Sequence, residues 1–280
     1  LTRLLKKICI IGLWSMSILS CGFMINAVQA AVPSTGAEAA CMIDADTETI
    51  LYQVNPTKWM NPASTTKIVT LITALDTGKN KMNDAVHITS EAADTEPSCL
   101  GIAPGDSISL KEILRGMMVV SGNDAAVAVA QTLGGSVSEF ADMMNKEAVK
   151  MGAKHSHFVN PNGLTAIKHY TTAIDMARMA AYGMKHYPEF RYIVSLKEYN
   201  MKYMDSRKPK YVTTTNYFLT SGYAGADGIK TGFTDAAGDC LVASATRDGH
   251  TLIVVLFNDD DRWTDAPNIL DYGFRRIAKE

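Results

Sequence analysis

Asn61-Pro62-Ala63-Ser64-Thr65-Thr66-Lys67 is the stretch from which the rest of the chain can be read. Ile68, Leu71, Ile72 and Leu75 follow at helical spacing and the run stops at Gly78, which predicts a buried helix opening here. Pro62 suits the first helical position, where its missing N–H has no partner to lose, and Asn61 suits the N-cap. Ser64 and Lys67 then lie one turn apart on one face. The pair suits nucleophilic catalysis. A serine hydroxyl needs a neighbour to take its proton, and a lysine whose pKa is lowered by burial or nearby positive charge can be that neighbour. Free N–H groups at the helix start could hold a developing oxyanion. Alone, Ser-x-x-Lys is weak evidence, since it arises about once by chance in a chain of this length. A capping serine beside a surface lysine is the bland alternative.

Before this helix, Ala39 to Ile43 and Thr49 to Val54 read as a β-hairpin around the turn cluster Asp44-Ala45-Asp46-Thr47. After it, Val86 to Ser90 reads as a short strand and residues 91 to 108, with Pro97, Gly101, Pro104 and Gly105, as loop. Ser109-Leu110-Lys111-Glu112 is a capping box opening a helix to about Val119. Asp124 to Leu133 is a helix ended by Gly134-Gly135, and a second capping box at Ser136 opens one closed by Gly152. Its stripe of Phe140, Met143, Met144, Ala148 and Met151 reads as core filler. Thr172 starts a further helix to about Lys185. From Tyr192 the patterning turns to β: Ile229 to Gly232, Asp239 to Thr246, the hairpin turn Asp248-Gly249, and Thr251 to Phe257. Pro267 to Ala278 reads as a closing helix. The expected architecture is α/β of the α+β kind, an antiparallel sheet flanked by helices with an all-helical lobe inserted. The sheet subdomain takes about 36–76 and 192–280, the lobe about 77–191, as one intertwined unit.

The 280 residues are 47% hydrophobic with a net charge of −2. That supports a substantial core and gives no electrostatic case for nucleic acid or an anionic membrane surface. Arg3, Lys6 and Lys7, the apolar run Ile8 to about Ile25, and Val28-Gln29-Ala30 before Ala31 describe an export leader over residues 1–30. A mature exported chain would start near Ala31; an uncleaved anchor is the alternative. Cys41, Cys99 and Cys240 are too few and too far apart for a disulfide framework or zinc site, and Cys41 and Cys240 are expected as buried thiols. His155 and His157 lack a third ligand at convincing spacing, and Asp259-Asp260-Asp261 reads as a solvated turn.

Two further motifs change the odds for Ser64. Ser121-Gly122-Asn123 falls between two helices, and Lys230-Thr231-Gly232 falls on a strand. Lys-Thr-Gly alone is expected roughly 0.06 times by chance at average composition. The ordered trio resembles the penicillin-recognising serine enzymes. The flanks Ala63 to Lys67, Ser121 to Ala125, His157 to Leu164, His169 to Ala173 and Asp227 to Thr234 resemble one branch of them. That branch is the exported D-alanyl-D-alanine carboxypeptidases of the low-molecular-mass penicillin-binding proteins.

The resemblance implies a β-lactamase/transpeptidase-like fold and a set of roles. Ser64 would be the acylated nucleophile, Lys67 its base, Ser121 a proton relay, and Asn123 a holder of the substrate amide. Lys230 and Thr231 would bind the substrate's terminal carboxylate, and Gly232 would let its backbone approach. The N–H groups of Ser64 and Phe233 would form the oxyanion hole. Arg262, read in the turn after the last strand, falls where relatives place a carboxylate-facing arginine; an ordinary surface arginine is the alternative. The implied substrate is the acyl-D-Ala-D-Ala end of a peptidoglycan stem peptide, with β-lactams as covalent inhibitors and no cofactor or metal. With the chain ending at Glu280, soon after the last helix, no C-terminal membrane anchor is expected. A class A β-lactamase would need an acidic residue in a Glu-x-x-x-Asn-type segment, and none stands between Gly152 and Lys230. A D,D-endopeptidase of crosslinks and a non-catalytic β-lactam or peptidoglycan sensor remain as alternatives.

Overall fold

Strand pairing sets the frame of the computed structural model, which describes residues 31–278; the leader read over residues 1–30 lies outside the described residues. Strands β1 (Ala39–Asp44), β2 (Ile50–Val54), β5 (Ala226–Thr234), β6 (Gly238–Arg247) and β7 (His250–Phe257) form one antiparallel sheet in the order β2-β1-β7-β6-β5. The β6–β7 turn uses Asp248 and Gly249 at φ 50° and 86°, the left-handed pair that a tight hairpin requires. Lys230 faces Val242 and Gly232 faces Cys240 across β5 and β6. β5 is an edge strand, so one side of its backbone is open to another chain.

Both faces of the sheet are covered. Cys41, Ile43, Ile253 and Val255 join the main core with α1 (Lys67–Thr77) and α6 (Ala173–His186). Alternate residues point the other way: Met42 and Leu252 close on Gly273 of α9 (Arg262–Ile277). The helices α2 (Ser90–Ala93), α3 (Leu110–Val120), α4 (Asn123–Gly134) and α5 (Val137–Lys150) follow α1 in sequence. After α6 come α7 (Pro188–Val194), the separate ribbon β3 (Glu198–Met201) with β4 (Lys210–Thr213), and α8 (Tyr217–Thr220). Phe140, Met144 and Met151 of the α5 stripe are buried in the core, as are the thiols of Cys41 and Cys240.

Four local readings change. Asn61 is not the cap and Pro62 not the first helical residue. Ala63 takes a left-handed φ of 46°, a 3₁₀ turn runs Ala63–Thr66, and the α-helix begins at Lys67. Asn61 instead donates its side-chain N–H to Ala236 O. Ser109 does not cap α3 through its hydroxyl. Glu112, its expected partner, is buried and accepts from Tyr199 Oη at 2.8 Å and Lys202 N at 2.7 Å, binding the β3–β4 ribbon to α3. Val86 to Ser90 is not a strand. Val86 and Ile88 are alternating buried plugs, which mimics the strand pattern, and Thr89 caps α2 through the Ala92 N–H. Helix α9 starts at Arg262, because Asp261 O already accepts from Thr264 N and Asp265 N. Pro267 therefore lies inside it, and Arg262 is in a helix rather than a turn.

The strained entry at Ala63 is held from outside. Gly163 has φ 91°, and a Cβ there would lie 1.8 Å from Ala63 O. Gly163→Ala is therefore expected to cost at least about 2 kcal/mol, a fall in Tm of roughly 4–8 °C. Gly152→Ala is the control: it has φ 84° but nothing within 4 Å of the added Cβ, so only the backbone cost of about 1 kcal/mol applies. Thermal unfolding of the two variants side by side checks this.

Candidate active site

Lys67 is fully buried and its Nζ lies 2.9 Å from Ser64 Oγ, 2.6 Å from Asn123 Oδ1 and 2.7 Å from Asn162 O. Burial first, and then the charge of Lys230, hold its pKa well below the ordinary lysine value; Asp124 acts in the opposite sense. A neutral amine has two hydrogens and one lone pair. Asn123 Oδ1 and Asn162 O accept those two hydrogens, which leaves the lone pair toward Ser64 Oγ. In that state the Ser64 hydroxyl donates to Lys67, the arrangement a general base needs.

Each partner is positioned by its own segment. Ser64 sits in the 3₁₀ turn whose Pro62 O accepts from Thr65 Oγ1 at 2.6 Å. Ser121 is the left-handed C-cap of α3 at φ 64°, which turns the chain into α4. Asn123 opens α4; its Nδ2 donates to Glu96 O at 2.8 Å and its backbone N to Ser98 O at 2.7 Å. With its amide group fixed that way, Oδ1 is turned to Lys67. The loop carrying Glu96 and Ser98 is tied down in turn by Asp124, whose carboxylate accepts from Leu100 N, Gly101 N and Ile102 N.

Asn162 was not singled out by sequence as a partner of the lysine. It acts through its backbone carbonyl, so its side chain carries no signal of the contact. A weaker signal stood in α1: Thr70, a polar residue among Ile68, Leu71 and Ile72, donates to Pro161 O at 2.6 Å and anchors this loop. Asn160 closes the loop by accepting from Gly163 N and donating to Leu164 O. His169 is a second brace. Its Nδ1 accepts from Val159 N, so Nε2 carries the proton and donates to Thr66 Oγ1 at 2.9 Å. Burial, with a smaller push from His157, lowers its pKa to about 4 and keeps it neutral.

On β5, Lys230 is buried with Nζ 3.0 Å from Thr231 O. Burial and then the Arg262 charge bring its pKa down to about 7. Thr231 Oγ1 lies 3.4 Å from Thr215 Oγ1. Gly232 lies against the elbow, where a Cβ would come 3.1 Å from Ser64 N, and Phe233 is exposed beside it. Arg262 donates to Gly232 O at 3.0 Å and pairs with Asp239 at 2.8 Å. It thus braces β5 and has a carboxylate partner within the chain. The structure brings Ser64, Lys67 and Asn123 into direct contact. The hydrogen bonds of Lys67 and Lys230 go elsewhere than Ser121 among the described residues.

Comparisons with known proteins identify the family and the fold. The family described as D-alanyl-D-alanine carboxypeptidase matches residues 26–261. D-alanyl-D-alanine carboxypeptidase DacF of Bacillus subtilis is 38% identical over 85% of this chain and 62% of its own length. DacC of Escherichia coli is 34% identical over 87% of the chain and again 62% of its own. The chain therefore spans about three-fifths of these relatives. The crystal structure of the Streptomyces K15 DD-transpeptidase superposes with a TM-score of 0.82 at 30% identity, covering 88% of this chain and 99% of that one. The fold is that of the penicillin-recognising serine enzymes, and the chain belongs to the D-alanyl-D-alanine carboxypeptidase family.

Proposed function

We propose that this chain is an exported serine D,D-carboxypeptidase that removes the terminal D-Ala from peptidoglycan stem peptides. The observation that carries the reading is the buried Lys67 amine 2.9 Å from Ser64 Oγ, with Asn123 and Asn162 accepting its two hydrogens. The family and its relatives supply the substrate class. The leader pattern of residues 1–30 supplies the export, with residues 31–280 as the catalytic domain: a sheet subdomain of about 36–76 and 192–280 around a helical lobe of about 77–191. Among the described residues no helix is long and apolar enough to cross a membrane.

In this mechanism the stem peptide adds as an antiparallel strand along the open edge of β5. Lys230, charged, and Thr231 bind its terminal carboxylate; a compact ammonium suits a carboxylate as a point charge. Gly232 lets the substrate backbone come close, and Asn123 holds the amide ahead of the scissile bond through whichever of its amide atoms the complex frees. Lys67 takes the proton of Ser64, and Oγ attacks the carbonyl carbon between the two D-Ala residues. The oxyanion is held by the N–H groups of Ser64 and Phe233. Ser121 passes the proton to the departing nitrogen, the C–N bond breaks, and D-Ala leaves an ester on Ser64. Water, deprotonated by Lys67, hydrolyses the ester. A β-lactam acylates the same hydroxyl. Arg262 contributes its charge and its brace on Gly232.

Purified protein should release D-Ala from a diacyl-Lys-D-Ala-D-Ala peptide, and Ser64→Ala should lower the rate by at least about 10³-fold. Ser64→Ala should also lose covalent penicillin labelling while keeping its Tm. Labelling that persists would remove Ser64 from the nucleophile role.

The two lysines must work in opposite protonation states, so kcat/KM should be bell-shaped in pH. It rises as Lys67 loses its proton and falls as Lys230 loses its own, through about pH 7. Lys230→Arg keeps the charge at every pH, so its descending limb should move to higher pH even where its maximum is lower. Initial rates below KM, taken across about pH 5 to 10, measure both limbs. An unmoved descending limb in Lys230→Arg would detach that limb from Lys230.

A further inference from the structure

Three rings form a ladder on segments that lead into the Ser64 turn and follow His169, the brace of Thr66. Trp59 and Tyr170 stack with centroids 4.6 Å apart and planes 19° apart, and His157 follows Tyr170 at 6.1 Å and 28°. Trp59, at the end of the ladder, is 63% exposed. An indole that open is not core, yet its mounting is stiff. Met60 and Thr171 exchange backbone hydrogen bonds in both directions, and so do His157 and Tyr170. Beside Trp59 the surface is charged, with Lys58 paired to Glu38 at 2.7 Å. A single flat apolar ring with a polar rim suits an amphipathic ligand better than an apolar protein face.

The ladder flanks one end of β5. Asn61, two residues after Trp59, donates to Ala236 O in the β5–β6 turn. Thr165, in the loop that leads to Tyr170, meets Thr234 at the end of β5 with hydroxyls 3.0 Å apart. A substrate lying antiparallel on β5, with its terminal carboxylate at Lys230 and Thr231, runs its N-terminal part past Phe233 and Thr234 toward this end. The acyl part of a stem peptide, about four residues, spans roughly 14 Å when extended. Trp59 is five residues from Ser64, hence within about 18 Å of it. The group at the far end of that acyl part is an amino-sugar of the glycan strand. Its pyranose ring has a flat face of C–H groups, weakly positive, which matches the negative face of an indole.

We propose that Trp59, stacked on Tyr170, is a platform for an amino-sugar ring of the glycan strand that carries the stem peptide. This rests on the D,D-carboxypeptidase reading and extends its substrate from the peptide to the sugar. Contact with a remote part of the substrate then contributes to catalysis at the scissile bond.

The test compares kcat/KM for D-Ala release from a disaccharide-pentapeptide and from the free diacyl tripeptide. Trp59→Ala should lower the value for the disaccharide substrate roughly three- to tenfold and leave the free peptide unchanged. Trp59→Phe, which keeps a ring, should recover most of the loss. Equal loss on both substrates, or none on either, overturns the platform. A second readout needs no turnover: peptide-free glycan oligosaccharide should change the intrinsic fluorescence of the Ser64→Ala protein saturably, and this response should vanish when Trp59→Ala is added. No saturable change overturns the platform. Saturable glycan binding by a protein that releases D-Ala from neither substrate overturns the peptidase reading and leaves the platform standing.

Discussion

Burying a lysine amine strips it of hydration, and a charge left so costs several kcal/mol unless its hydrogens find oxygen. Lys67 is enclosed by oxygens from three separate segments: Ser64 from its own turn, Asn123 from the start of α4, and Asn162 from the loop before α6. Each oxygen stabilises the amine only if its segment is rigid. Asn123 is therefore tied through its amide and backbone to Glu96 and Ser98. The Asn162 loop is fastened by Thr70 from α1 and by His169 through Val159. Much of the polar network in the centre of this protein follows from holding one amine dry and half-satisfied.

The second requirement of the proposed chemistry is that Ser64 be displayed rather than wrapped into a helix. Ala63 at φ 46° forms an elbow that a non-glycine residue adopts at a cost of about 1 kcal/mol or more. Packing keeps it there. Gly163 closes on the Ala63 carbonyl at a distance that leaves no room for a Cβ, and Gly232 lies against the Ser64 amide so closely that a Cβ would force its neighbours to shift. The loop that satisfies Lys67 and the edge strand β5 thus press on the same turn. That is why two glycines far apart in sequence both belong to the site.

Sheet, helical lobe and the three short motifs were legible because each rests on local chemistry. Short apolar runs marked β6 and β7, Asp248-Gly249 marked their turn, and Ser136 and Thr172 marked helix starts that do cap through their hydroxyls. What stayed hidden was long-range. The capping-box reading of Glu112 was locally sound, but the carboxylate is claimed by Tyr199 and Lys202 about ninety residues away. Pro62 and Pro267 both read as first helical residues. Tertiary contacts moved one helix start downstream to an elbow, and Asp261 moved the other upstream. Asn162 was invisible for a simpler reason: a backbone carbonyl has no letter of its own in a sequence.

The electrostatics of the site are graded along a line of positive charge. Burial lowers both lysines first; Arg262 then adds to the lowering of Lys230, and Lys230 to that of Lys67. Arg262 is paired with Asp239, and burial first and then the Arg262 charge bring Lys230 down to about 7. Among the described residues no carboxylate hydrogen-bonds the Lys67 amine, since Asp124 spends its oxygens on backbone N–H groups, and burial first and then the Lys230 charge hold that amine well below the ordinary lysine value. The proposed chemistry needs a neutral base beside a charged anchor. A substrate carboxylate at Lys230 would raise that lysine's pKa more than that of Lys67, because it sits nearer. Binding would then widen the interval in which both groups are in their working states, so the anchor and the base are coupled through the substrate that joins them.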